Sequence, residues 1–306
     1  YGLVGSEMCI RDSLSLDELK AAANKRGFQA ISLGLKASLT LKNAVERVVS
    51  NNVIAVLPGS GRADEYVFYM AHWDHFGMDP AAPGDQIYNG ALDNATGAAA
   101  LIELARAFKT LRKAPSRSIA FLSVTGEEQG LIGSEYYATH PVYPPAKTVA
   151  VVNMDALDIY GRMKDVTVVG FGQSELDDYV VAAAAEQGRT VRPDPTPERG
   201  SYYRSDHFPF ARAGMPAIYV SQGVDHIVHG EKWTREQMDK YLAEKYHKPT
   251  DEFDPGWDLS GAMEDLSLIF KIGYRLSQES VFPNWKEGSE FRARRDSVLK
   301  VASPTK

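Results

Sequence analysis

Apolar and polar positions along this chain follow two rhythms, a period of two for strands and a 3.6-residue period for helices. Val53 to Leu57 is an apolar run closed by Pro58-Gly59, which predicts a strand and a turn. Tyr66 to Ala71, Ser118 to Val124, Thr148 to Asn153, Val166 to Val169 and Ala217 to Val220 read as further strands. In Asn94 to Lys109, Ala98, Leu101, Ile102, Ala105 and Phe108 share one helical face. Leu131 to His140, the Ala-rich Ser174 to Gln187, Thr234 to Tyr246 and Leu259 to Leu276 are the other predicted helices. Strands alternating with helices predict an α/β fold, a three-layer α/β/α sandwich around a mixed, mostly parallel sheet. In such sheets ligands bind beyond the carboxyl ends of the strands.

The pattern before Asn52 is different. Ser13 to Leu19 reads as a capped helix start that Ala21 to Ala23 continue, and Ala30 to Leu41 alternates like a strand. These pieces are too small for a domain of their own. Leu3 to Ser13 reads LVGSEMCIRDS, which back-translates without mismatch to a sequence resembling a transposase adapter of sequencing libraries. Residues 1–13 are therefore set apart from fold reasoning as adapter read-through. Cys9, the only cysteine, lies in that stretch, so disulfide and thiol chemistry drop out.

Composition narrows the class. Of 306 residues, 44% are hydrophobic and 24% charged, as in ordinary globular proteins. The 40 acidic residues exceed the 34 basic ones, and no long Lys/Arg run occurs, which argues against a nucleic-acid partner. No apolar run approaches bilayer length.

The chemistry lies in where acids and histidines fall. His72 and Asp74 end one strand on the same side, a pattern that suits a metal ligand and the group orienting it. Glu127-Glu128 and Asp155 follow two further strands. Asp93 precedes a helix, and His247 ends one. Taken singly, each has a bland reading: a packed histidine, an acidic helix start, an N-cap, a turn cap. Converging on one edge, these groups would repel one another unless a cation neutralised them. Nitrogen and oxygen ligands without sulfur fit zinc, with cobalt or manganese as alternatives. His75, His140, His226 and His229 show no partner pattern and read as surface residues or supports behind ligands; His207 starts a polar helix that could face the cleft. There is no Gly-x-Ser-x-Gly elbow, His-Glu-x-x-His, or glycine-rich phosphate loop.

Six stretches carry a resemblance: AHWDH at 71–75, NGALDNATG at 89–97, TGEEQGLIGS at 125–134, NMDALD at 153–158, YRSDHFPF at 203–210 and YHKPTDEFD at 246–254. In this order they resemble the two-zinc aminopeptidase and glutamate carboxypeptidase family of metallopeptidases. The resemblance implies the zinc exopeptidase fold over residues 46–306. It also implies that residues 14–45 are the tail of an inserted protease-associated-like domain. It makes Asp93 the bridge between two Zn2+ ions, with His72 and Asp155 on one and Glu128 and His247 on the other. It makes Glu127 the general base acting on a metal-bridging water, and Asp74 the orienter of His72. It further implies a cis Asp93-Asn94 peptide, Tyr246 beside the tetrahedral intermediate, and Arg204, Ser205 and Asp206 near the substrate pocket. The expected activity is removal of N-terminal residues from a peptide substrate. A carboxypeptidase or dipeptidase, a one-metal acyltransferase and a non-catalytic receptor are its rivals. Bacterial members of the family are often exported, so a periplasmic or extracellular location is expected from the resemblance.

Overall fold

The computed structural model describes residues 15–302 apart from 33–35, 37 and 46. The adapter-like residues 1–13 lie outside the described residues. The chain divides into two compact units, Tyr1–Val49 and Ser50–Lys306. In the first, α1 spans Leu16–Ala23. Ser15 caps it: the Ser15 hydroxyl accepts from the Glu18 amide, and the Glu18 carboxylate accepts from the Ser15 amide. The strand predicted over Ala30 to Leu41 does not form among the described residues. Among the described residues its alternation has no neighbouring strand to complete a ladder, and an unpaired strand leaves its backbone groups to water.

In the second unit, β1 is Val53–Leu57, β2 Arg62–His72, β3 Gly77–Met78 and β4 Ile87–Tyr88. Helix α2 (Thr96–Lys109) precedes β5 (Arg117–Val124), α3 (Ile132–Thr139), β6 (Thr148–Asn153), β7 (Asp165–Val169) and α4 (Leu176–Glu186). Then come β8 (Thr190–Pro193), α5 (His207–Arg212), β9 (Ala217–Ser221), α6 (Gly230–Glu244), α7 (Ser260–Gln278) and α8 (Arg292–Ala302). Seven strands form one sheet in the order β1-β5-β2-β6-β9-β7-β8. The β1–β5 and β7–β9 pairs are antiparallel, and the others are parallel. The sheet is thus mixed and mostly parallel, as expected.

Period-two burial makes the three layers. On β2, Val67, Tyr69 and Ala71 face the side covered by α2, α4 and α7, packing with Leu104, Val180 and Ile269. Phe68 and Met70 face the other side, with Tyr137 of α3, Phe210 of α5 and Trp285. All five β2 residues are fully buried, which is why the strand reads as a continuous apolar run.

Three differences from expectation have local causes. The helix expected from Asn94 starts at Thr96, because Asp93 and Asn94 have non-helical dihedrals in the turn Ala91–Ala95 and are joined by a cis peptide. Helix α6 starts four residues before the expected Thr234 and stops at Glu244, so His247 lies beyond it, not at its end. The amides of Lys245 and Tyr246 both turn back to the Tyr241 carbonyl, and His247 adopts φ 58°, which leaves the helical path. Helix α8 lacks an apolar stripe; its one buried residue is Arg295, which donates to the carbonyls of Pro145 and Thr148.

One close approach yields a prediction. A Cβ on Gly273 of α7 would run into the Tyr69 hydroxyl. That hydroxyl donates to the Ile269 carbonyl at 3.1 Å. Gly273→Ala should destabilise the fold by about 1–3 kcal/mol, the usual cost of overpacking, and lower the thermal midpoint by several degrees. A melt superimposable on wild type would refute the close packing.

Candidate metal centre and catalytic site

Three adjacent parallel strands, β5, β2 and β6, deliver their carboxyl ends to one edge of the sheet. β2 ends on His72. β5 ends at Val124 and runs through Thr125 and Gly126 into Glu127 and Glu128. β6 ends at Asn153, two residues before Asp155. The turn before α2 brings Asp93, and the segment after α6 brings His247.

Asp93 sits in the middle. Its Oδ1 lies 3.2 Å from His72 Nε2, which lies 3.3 Å from Asp155 Oδ1. Its Oδ2 lies 3.5 Å from His247 Nε2, which lies 3.0 Å from Glu128 Oε2. Ligand atoms of His72, Asp93 and Glu128 fall within 4.8 Å of one another. The five predicted ligands therefore meet as two groups sharing one carboxylate.

Electrostatics follow from this crowding. Burial opposes charge on His72, yet Asp155 and Asp93 raise its pKa to about 12. Burial opposes it on His247 too, where Asp93 and Glu128 raise the pKa to about 9. Burial also works against ionisation of Asp93, but His247 and His72 hold it well below the usual carboxylate range. Among the described residues, no Lys or Arg forms an ion pair with Asp93, Glu128 or Asp155; their partners are imidazoles, His72 and His247 at the shared carboxylate and His75 at Glu128, and protons on the first two supply positive charge there. A cation held by the same atoms would replace those protons. His247 Nε2 is buried and, despite its short distance to Glu128, lacks an aligned hydrogen-bond partner. This imidazole and carboxylate donor set fits zinc.

Asp74 works differently from the expectation. Its backbone carbonyl, not its carboxylate, lies 3.0 Å from His72 Nδ1. The carboxylate instead accepts from the Thr125 hydroxyl and, at 2.9 and 2.8 Å, from the Gly126 amide. It pins the loop leading into Glu127. Glu127 is 9% exposed, and its pKa is pushed up to about 9 by burial, then by the charges of Asp155, Asp206 and Glu128. Such a carboxyl holds a proton readily.

The predicted substrate group splits. Tyr246 and Arg204 line a cavity of about 290 Å³ beside Asp155, with Tyr160, Tyr219 and Tyr241. The Tyr246 ring stacks on His247 with centroids 3.6 Å apart. Ser205 and Asp206 are buried and lie behind the ligands, a correction to the expectation that they meet substrate. Ser205 donates to Asp155 Oδ2 at 2.7 Å and accepts from Asn153 Nδ2 at 2.7 Å, so it steadies a ligand. Asp206 accepts from the Ser134 hydroxyl at 2.6 Å, and burial pushes its pKa to about 7. His207 does not face the cleft. It is fully buried against Tyr202 and Tyr219, and burial lowers its pKa to about 3.

Three residues support the candidate ligands from behind; sequence reasoning left His75 open between surface and support and assigned no such role to Asn94 or Asp251. His75 places Nδ1 2.6 Å from Glu128 Oε1. Asn94 accepts from the Gly97 and Ala156 amides and donates to the Met154 carbonyl, tying the Asp93 turn to the loop of Asp155. Asp251 is wholly buried under the Asp93 turn. For Asp251, a signal was available: an acid four residues after a candidate ligand histidine, in a stretch otherwise read as loop.

An α/β/α sandwich with acids and imidazoles clustered at its parallel strand ends fits the class of metal-dependent hydrolases. Residues 52–270 match the model of Peptidase family M28, and the chain belongs to that family. The aminopeptidase YwaD of Bacillus subtilis is 27% identical over 243 residues, covering 75% of this chain and 45% of the relative. The mouse aminopeptidase NAALADL1 is 33% identical over 127 residues, 40% of this chain and 16% of the relative. The chain thus spans less than half the length of either. Among solved structures, a zinc aminopeptidase from Bacillus subtilis aligns with a TM-score of 0.55 at 21% identity, covering 78% of this chain and 53% of that one. The LapA aminopeptidase of Legionella pneumophila aligns with a TM-score of 0.55 at 19% identity, covering 75% and 56%. Both likenesses speak to the fold.

Proposed function

We propose that this chain is the catalytic part of a two-zinc exopeptidase that releases N-terminal amino acids from peptides. The observation that carries this reading is Asp93, whose two oxygens each face a separate histidine–acid pair. In this reading His72, Asp93 and Asp155 hold one ion, and Asp93, Glu128 and His247 the other. When bound, such a metal pair supplies Lewis acidity and lowers the pKa of a bound water towards about 7. Glu127 is the general base: its carboxylate takes the proton of the attacking water and returns it to the leaving amine. The Tyr246 hydroxyl, held beside the ligands by the stack on His247, donates to the carbonyl oxygen as negative charge develops there. The aromatic cavity around Tyr160, Tyr219 and Tyr241 holds the substrate side chain and keeps water away.

Arg204 supports a second reading. Its guanidinium forms no ion pair among the described residues and lines the same cavity, so it could hold the free carboxylate of a carboxypeptidase substrate. Zinc-loaded protein assayed with aminoacyl anilides, their N-acetylated analogues and N-blocked dipeptides separates the two. Cleavage of free-amine substrates alone, lost on chelation, is expected. Preferential release of C-terminal residues from N-blocked peptides would establish the carboxypeptidase instead.

A further inference from the structure

The Asp93 turn has a backbone problem. Ala91, Leu92 and Asp93 lie ahead of α2, where no preceding helical turn supplies carbonyls for their amides. Leu92 and Asp93 are buried, so water does not serve those amides either.

Asp251 supplies the acceptor. Its side chain accepts from the Leu92 amide at 3.2 Å to each oxygen and from the Asp93 amide at 3.1 Å. Its backbone carbonyl accepts from the Ala91 amide at 3.0 Å. Tyr241, on α6, donates its hydroxyl to the same carboxylate at 3.3 Å. Three consecutive amides of the Asp93 turn therefore end on one residue, which is itself fully buried.

Asp251 follows His247 by four residues. One short loop thus carries a predicted ligand at its start and grips the shared carboxylate's backbone at its end. His247 sits in left-handed backbone, so it is not fixed by helical hydrogen bonds. These hydrogen bonds tie together the two segments that carry Asp93 and His247.

We propose that Asp251 is a positioning residue: it fixes the Asp93 peptide so that each carboxylate oxygen meets its own histidine–acid pair. It touches neither substrate nor the predicted ions, and acts through Asp93. A carboxylate suits the task because it accepts several N–H and O–H donors at once and donates none. Loss of such a support behind a metal ligand costs about 10–100-fold in metal affinity.

The inference rests on the metal reading above, and one experiment tests both separately. Chelator-stripped wild type, Asp251→Ala, Tyr241→Phe and Gly273→Ala are titrated with zinc against a chromogenic chelator, with a thermal melt of each metal-free protein. Asp251→Ala should bind zinc about 10–100-fold more weakly, and Tyr241→Phe should show a smaller loss. Gly273→Ala should melt lower yet bind zinc like wild type, which separates positioning from general stability. Loaded at saturating zinc, Asp251→Ala should lose kcat with KM little changed. If Asp251→Ala does not fold, Asp251→Asn keeps the size and one acceptor, and an intermediate loss is expected. Zinc affinity of the folded Asp251 variant within twofold of wild type overturns the positioning role alone. Absence of zinc binding by wild type overturns the metal reading itself.

Discussion

Glu127→Gln should lower turnover by about 10²–10⁴-fold, the range a positioned general base contributes, and leave zinc content unchanged. The amide keeps the shape of the carboxylate but cannot take a proton. Glu127 contacts none of the five predicted ligands through a hydrogen bond or ion pair, so its replacement leaves the donor set whole. Its surroundings make it a better base than an exposed glutamate would be. Burial and the neighbouring charges of Asp155, Asp206 and Glu128 raise its affinity for a proton. The substitution also removes that strain, so the metal-free variant should melt no lower than wild type. Activity is measured with an aminoacyl anilide, and zinc by elemental analysis. Retention of near wild-type turnover at full zinc content would remove Glu127 from the mechanism.

How much of this was legible beforehand depended on the kind of signal. The strands and the long helices were written in apolar spacing, and β5, β6 and α7 formed close to their predicted bounds. The candidate ligands were legible because each sits where a strand or helix pattern starts or stops. Elements without apolar contrast were hidden. The polar α8 is held by Arg295 donating to distant carbonyls, and β8 is a short strand ending in Pro193. Contacts that run through the backbone were hidden as well. Spacing showed that His72 and Asp74 belong together. It did not show that the Asp74 carbonyl takes the histidine while its carboxylate grips the Gly126 amide. The resemblance put Ser205 and Asp206 near the substrate pocket, and the polar run put His207 toward the cleft, yet all three are buried, Ser205 behind Asp155 and Asp206 under Ser134. A polar run in sequence does not distinguish a cleft from the support beneath it.

Asp93→Ala should bring zinc below one ion per chain and abolish measurable turnover. The reason is geometric. Removing His247 leaves the His72, Asp93 and Asp155 group intact, and removing Asp155 leaves the other group intact. Removing Asp93 takes an oxygen from both groups at once. His247→Ala should therefore keep about one ion, as half of the donor set survives. Thermal melts add a readout independent of catalysis. A ligand present at a thousand times its dissociation constant stabilises a fold by about 4 kcal/mol, which for a domain of this size raises Tm by roughly 10 °C. Wild type should show such a rise on adding zinc, His247→Ala a smaller one and Asp93→Ala almost none. The metal-free melts should differ less than these rises. Asp93 is a buried carboxylate beside Glu128, so its loss relieves that repulsion while forfeiting two histidine contacts. A zinc-induced rise in Asp93→Ala equal to that of wild type would show that the two groups do not share this carboxylate.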